Sequence, residues 1–246
     1  MTRPNHAPAS GIAVLLAILF LFPIVAGAEE IEAIYYDYFD DPSSGWLTES
    51  GDTGSVQYRN GKYQVRITRD YYVWWSWAPY EDVPDNFLVE ATGYARAGSG
   101  FSKYGLIWGT DSANFLLFYV TPTGWFSVRS MVGGEWQAPP IDWKESSSIQ
   151  TGENTSNTLR VTLEGVSVVV SINRRRVGSF ELGGAGDLAA AFASPGTVTL
   201  NPGHTWRIGL AGASFDDTPV DFYFGEFSLY ELPSDSPHPP TVNFGG

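Results

Sequence analysis

The chain contains no cysteine, so disulfide frameworks, thiolate nucleophiles and sulfur-ligated metals are all excluded. Histidine is nearly absent: beyond His6 near the amino terminus, only His204 and His238 occur. That argues against a Ser-His-Asp triad and against a His-based zinc centre. Basic side chains are few, 14 Lys and Arg against 27 Asp and Glu, for a net charge of −13 over 246 residues. Such a surface repels phosphate backbones and anionic lipid, which sets nucleic acid and membrane-surface partners aside. Heptads and blade-length repeats are missing, which removes coiled coils and propellers. The one Gly-rich stretch, GGAGD from Gly183, opens no helical pattern and matches a dinucleotide fingerprint poorly.

Long apolar runs are also rare, and the single one is informative. Arg3 and the terminal amine precede an unbroken apolar stretch from Gly11 to Phe22, Pro23 ends it, and Ala26-Gly27-Ala28 offers the small residues a signal peptidase accepts. About a dozen residues fall short of the roughly 20 that a spanning helix needs, which disfavours an uncleaved anchor. Residues 1–28 are therefore expected to be a signal peptide, residues 29–232 a β-sandwich domain, and residues 233–246 a disordered Pro/Ser/Gly-rich tail. The mature protein is expected to be secreted or periplasmic, with no membrane span. No cysteine is available for a lipid anchor at the cleavage site.

What is abundant points to strands. Aromatics make up 15 % of the chain, beside 27 Gly and 16 Pro, as suits short strands joined by tight turns. Tyr104 to Trp136 (YGLIWGTDSANFLLFYVTPTGWFSVRSMVGGEW) reads as an antiparallel meander with turns at TDSAN, TPTG and VGGE. Its middle strand is apolar on both faces and should be central. Asn60-Gly61 tolerates the positive φ of a hairpin turn between Ser55 to Tyr58 and Lys62 to Thr68. Further strands are expected at Ala33 to Phe39, Tyr71 to Ala78, Phe87 to Ala97, Asn157 to Glu164, Val166 to Asn173, Arg176 to Leu182, Trp206 to Ala213 and Val220 to Leu232. In the last of these the apolar phase slips at Gly225-Glu226, as a β-bulge would require. Gly134 to Gly152 and Gly183 to Thr205 read as loops, the second with a possible short strand at Thr197 to Leu200. Some thirteen mostly antiparallel strands in one unit predict an all-β, two-sheet jelly-roll sandwich.

YGLIWGTDSANFLLFYVTPTGWFSV, the later GEW and IDW, NTLRVTLEGVSVVVSIN and RIGLAGASFDDTPVDFYFGEFSLYEL together resemble secreted bacterial concanavalin A-like (laminin G-like) jelly-roll modules, a group related to 3-keto-disaccharide hydrolase-type domains. The likeness runs from about Tyr36 to Leu232. It implies the two-sheet fold and an exported, non-catalytic, lectin-like module that binds carbohydrate or an envelope or matrix component. Such modules also include hydrolases or lyases and adhesion domains that bind a protein partner, and both stay open as alternatives.

Retaining glycosidases bring two carboxyl groups within about 5 Å, yet no Glu here is followed two residues later by Asp. Glu90, with Asp221 or Glu226, is the catalytic alternative; pairing of these acids with Arg129 or Arg160 on a solvated face is the ordinary reading. Binding is better sought among rings that stack on sugars. Tyr72 and Trp74 share a strand face, Trp108, Tyr119 and Trp125 lie on neighbouring strands, and Trp136 and Trp143 fall in loop context, where binding groups gather. Trp74, Trp108, Tyr119, Trp125, Arg129, Trp136 and Glu90 are the candidate ligand-binding residues, against the simpler reading of the rings as core. No cofactor is indicated. Calcium would be accommodated only if Asp40-Asp41 and Asp216-Asp217 meet through pairing of the terminal strands; Asx turns explain the same doublets.

Overall fold

The computed structural model describes residues 31–97, 100–183, 198–199 and 205–233; the expected signal peptide and all of the expected tail except Pro233 lie outside them. Seventeen strands and no helix occur among the described residues. They are β1 (Ala33–Asp37), β2 (Glu49–Gly51), β3 (Gly54–Tyr58), β4 (Tyr63–Ile67), β5 (Val73–Trp77), β6 (Phe87–Ala97), β7 (Lys103–Asp111), β8 (Asn114–Val120), β9 (Trp125–Val132), β10 (Glu135–Trp136), β11 (Ile141–Glu145), β12 (Asn157–Glu164), β13 (Ser167–Ile172), β14 (Arg175–Gly183), β15 (Val198–Thr199), β16 (Arg207–Ala213) and β17 (Val220–Glu231).

Ten strands form one sheet in the order β15-β14-β13-β12-β6-β17-β4-β3-β2, with β1 also on β17, and seven form the other in the order β10-β9-β8-β7-β16-β5, with β11 on β9. All pairings are antiparallel except β14 with β15. The hairpin turn at Asn60-Gly61 sits where the sequence places it. Asn60 and Gly61 have φ of 54° and 66° between β3 and β4, Gly165 turns β12 into β13, and Asn173 and Arg174 turn β13 into β14 with φ of 50° and 67°. The register of β17 against β6 shifts between Phe224 and Glu226, so Val220, Phe222 and Phe224 before the bulge and Phe227 and Leu229 after it are all buried. That same point is where β17 exchanges partners, from β4 over Val220–Phe224 to β1 over Phe227–Tyr230.

Alternation supplies the core. Val65, Val89, Val161 and Phe222 from the larger sheet meet Leu106, Trp108, Phe118 and Val128 from the smaller one in a single buried cluster. Two expectations need correction. The stretch Gly134 to Gly152 is not simply a loop: it holds β10 and β11, both paired to β9. The double-sided strand β8 is covered differently on its two faces. Leu116, Phe118 and Val120 face the opposing sheet, whereas Phe115, Leu117 and Tyr119 belong to a second cluster packed under Val73, Trp75, Trp77 and Met131 from flanking strands.

Candidate functional site

The second cluster defines the outer face of the seven-stranded sheet. Register assigns its members strand by strand: Val73, Trp75 and Trp77 from β5, Arg207, Gly209, Ala211 and Ala213 from β16, Lys103, Gly105, Ile107 and Gly109 from β7, Phe115, Leu117 and Tyr119 from β8, and Trp125, Ser127, Arg129 and Met131 from β9. Glycine and alanine predominate on β16 and β7, and large residues on the flanking strands. Side chains at Gly105, Gly109 or Gly209 would overlap the carbonyl oxygens of Phe118, Asn114 and Ser76 on the neighbouring strands, so only glycine allows that approach. The low floor lets Trp75 reach across two strands to Phe115, 5.6 Å between ring centroids, and Phe115 in turn meets the edge of Trp136 at 5.9 Å.

Each end of this face carries a pocket. At one end, Arg207 lies 5.0 Å from the Trp77 ring centroid, beside a recess of about 740 Å³ lined by Pro79, Tyr80, Glu81, Asp82 and Thr110 among others. At the other, a pocket of about 310 Å³ is walled by Phe101, Trp125, Trp143 and Phe215, with Lys103, Thr121 and Thr123 as its polar groups. Phe101 and Phe215 are exposed and stand 5.6 Å apart, and Trp125 is 38 % exposed. The Lys103 ammonium sits 5.8 Å from the Trp143 ring centroid. Burial, reinforced by the positive charge of Arg129, lowers the Lys103 pKa, with Asp217 opposing. Asp217 is itself held by the Ser102 hydroxyl at 2.6 Å and the Phe215 amide at 3.3 Å.

Of the sequence candidates, Trp125, Arg129 and Trp136 fall on or beside this face; Tyr119 is on its side of the sheet but fully buried beneath it, and the other three lie elsewhere. Trp108 is wholly buried between the sheets, because the alternation of β7 turns it to the opposite side from Ile107. Trp74 also points inward, packs against the core, and donates its indole N–H to the Thr53 hydroxyl at 3.1 Å. Glu90 lies on the other sheet, directly across from Arg160 on β12 and bonded to it at 2.7 Å. Asp221 is likewise paired with Arg66 at 3.0 Å and accepts from Gln64 at 2.6 Å, and Glu226 is diagonal to Glu90 across β6 and β17 and within 3.4 Å of the Thr92 hydroxyl. None of these acids lines either pocket described above.

The Asp doublets do not meet. Among the described residues no three acid or histidine side chains converge as a metal site, and Asp41 instead caps Ser43 through its amide (2.9 Å) and hydroxyl (2.7 Å). The residues missed by sequence reasoning are Trp75, Trp77, Phe101, Lys103 and Phe215. In YYVWWSWA both parities carry rings, so alternation alone does not say which tryptophans face outward; Lys103 was legible as the residue in phase with Gly105, Ile107 and Gly109.

No protein-family profile and no curated protein matches the chain. Solved structures do. One from work on endo-acting O-glycanases with which human gut microbiota initiate mucin breakdown aligns over 82 % of this chain and 100 % of its own, at 9 % identity and a TM-score of 0.58. A CBM66 carbohydrate-binding module from Bacillus subtilis aligns over 76 % and 96 %, at 14 % identity and 0.53. A galectin-like protein of unknown function from the same organism aligns over 82 % and 97 %, at 13 % identity and 0.56. At such identities the likeness establishes the jelly-roll fold, shared by binding modules and glycan-cleaving enzymes alike.

Proposed function

We propose that the protein is an exported, non-catalytic carbohydrate-binding module whose ligand lies on the outer face of the seven-stranded sheet, seated in the pocket walled by Trp125, Trp143, Phe101 and Phe215. The observation that carries this reading is the pocket itself: partly exposed rings beside lysine and threonine side chains are what a pyranose needs, an apolar face to stack on and polar groups for its hydroxyls. Export rests on the amino-terminal apolar run and predicts a mature protein starting at Glu29. Kinship with 3-keto-disaccharide hydrolase-type domains is the narrower form of the proposal, and cleavage of a 3-keto-disaccharide by purified protein would be its signature. The hydrolase or lyase alternative draws support from the glycan-cleaving enzymes that share the fold, but Glu90 and Asp221 are engaged with Arg160 and Arg66 on the far sheet and Glu226 accepts from the Thr92 hydroxyl. Purified residues 29–246 are expected to bind on a glycan array, and Trp143→Ala to lower the affinity roughly tenfold, as stacking contributions of this size imply. Absence of binding to every glycan on the array overturns the reading.

A further inference from the structure

Lys103 lines the pocket, and Arg129, on the same face, lies within reach of its charge; the carboxylate that acts on Lys103, Asp217, also accepts hydrogen bonds from the Ser102 hydroxyl and the Phe215 amide. Arg129 on β9 stands across from Leu117, and Lys103 on β7 lies one outward position from Gly105, which stands across from Tyr119. Glycine leaves the intervening position without a side chain, and the Arg129 charge acts on both Lys103 and Tyr119. Among the described residues neither makes a hydrogen bond or salt bridge; the salt bridges there join other arginines to Asp221 and Glu90. The Tyr119 hydroxyl is fully buried and has no hydrogen-bond partner among the described residues. A buried donor left in that state costs about 1–3 kcal/mol. In a chain with nearly twice as many acids as bases, two cations within reach of each other's charge beside a pocket form a local exception.

Resting on the carbohydrate reading above, we propose that Lys103 and Arg129 make this site select glycans that carry an anionic group, a uronate carboxylate or a sulfate ester. The sugar ring stacks on Trp143 and Trp125 while its anionic oxygens accept from the Lys103 ammonium and the Arg129 guanidinium. Burial and mutual repulsion of these two cations favour an anion between them, consistent with the lowered pKa of Lys103. The net charge of −13 repels polyanions, so their capture has to be local.

The test is affinity measured by calorimetry for three probes: an oligogalacturonate, a dextran sulfate and a neutral dextran oligosaccharide. At least one anionic probe is expected to bind more tightly than the neutral one, with affinity falling as salt is added, and the preferred probe distinguishes carboxylate from sulfate. Lys103→Met or Arg129→Met is expected to reduce that binding by roughly ten- to a hundredfold, and to weaken neutral binding by much less. Lys103→Arg is expected to retain it, which guards against a general folding defect. Equal or better binding of the neutral glycan, or anionic binding that survives both methionine variants, overturns the inference while leaving the carbohydrate module in place. Loss of all glycan binding on the array overturns both.

Discussion

Lys103 is the residue at which function and stability pull apart. Its folded pKa lies below the ordinary 10.5, chiefly through burial, so the charged amine opposes folding at neutral pH by a constant amount. As pH rises toward 10.5 the folded protein sheds this proton before the unfolded one, and stability increases through that window. Lys103→Met is therefore expected to melt at a higher temperature than wild type near pH 7, with the gap closing as pH approaches 10; melting curves of both proteins across that range check it, and a lower melting temperature at neutral pH counts against it. Tyr104 shows the opposite sign. Burial pushes its phenol up to about 12 from 10.0, so the stability it contributes is complete below pH 10 and is lost as pH climbs toward 12. Tyr104→Phe leaves the Asn157 amide its bond to the Gln150 carbonyl at 2.9 Å. It is expected to cost about 1 kcal/mol at pH 7 and to flatten the alkaline decline, read from denaturant midpoints at several pH values.

At the scale of the element, β17 shows how much a sequence pattern can carry. Gly225 and Glu226 together stand across from one residue of β6, so removing one of them restores strict alternation and keeps Phe227 and Leu229 on the buried face. Deletion of Glu226 is expected to leave a folded protein, destabilised by about 0.5–3 kcal/mol. Deletion of Ser228 has no such escape: it turns Leu229 to the outer face and breaks the β1 register, forfeiting about 2–5 kcal/mol for that side chain alone. Solubility and far-ultraviolet circular dichroism of the two deletions separate the cases, and equal behaviour would refute the bulge as the device that sets register. The phase slip was legible because polar and apolar residues alternate cleanly on either side of it. So was the hairpin at Asn60-Gly61, where the residues that tolerate positive φ stand at the turn. In β5 the same logic gave Trp74 instead of Trp75, since rings on both faces erase the contrast on which period-two reasoning depends. Trp108 failed for a related cause: a ring in a strand reads the same whether it faces a ligand or the opposing sheet, and only pairing partners decide.

For the whole molecule, the decisive feature is that neither sheet owns the core. Tyr104 of the seven-stranded sheet packs against Phe222 and Phe224 of the ten-stranded one at 5.8 and 6.1 Å, and a side chain at Gly212 would run into Phe222 and Val65 across the same interface. Separating the sheets would expose both halves of that cluster, so the two are expected to unfold together. Calorimetry should give a single transition with matching calorimetric and van't Hoff enthalpies. Phe222→Ala should lower that transition as a unit, by about 3–5 kcal/mol, with tryptophan fluorescence and far-ultraviolet circular dichroism shifting in parallel. Because β17 enters the middle of the larger sheet between strands more than a hundred residues earlier in the chain, the central pairings close long loops, and refolding is expected on the millisecond-to-second scale of sandwich folds. Two resolved transitions, or a variant that moves the fluorescence signal while leaving the dichroism in place, would mean that the sheets hold separate cores. The face bearing Lys103 and Trp143 would then be free to open without unfolding the sheet behind it.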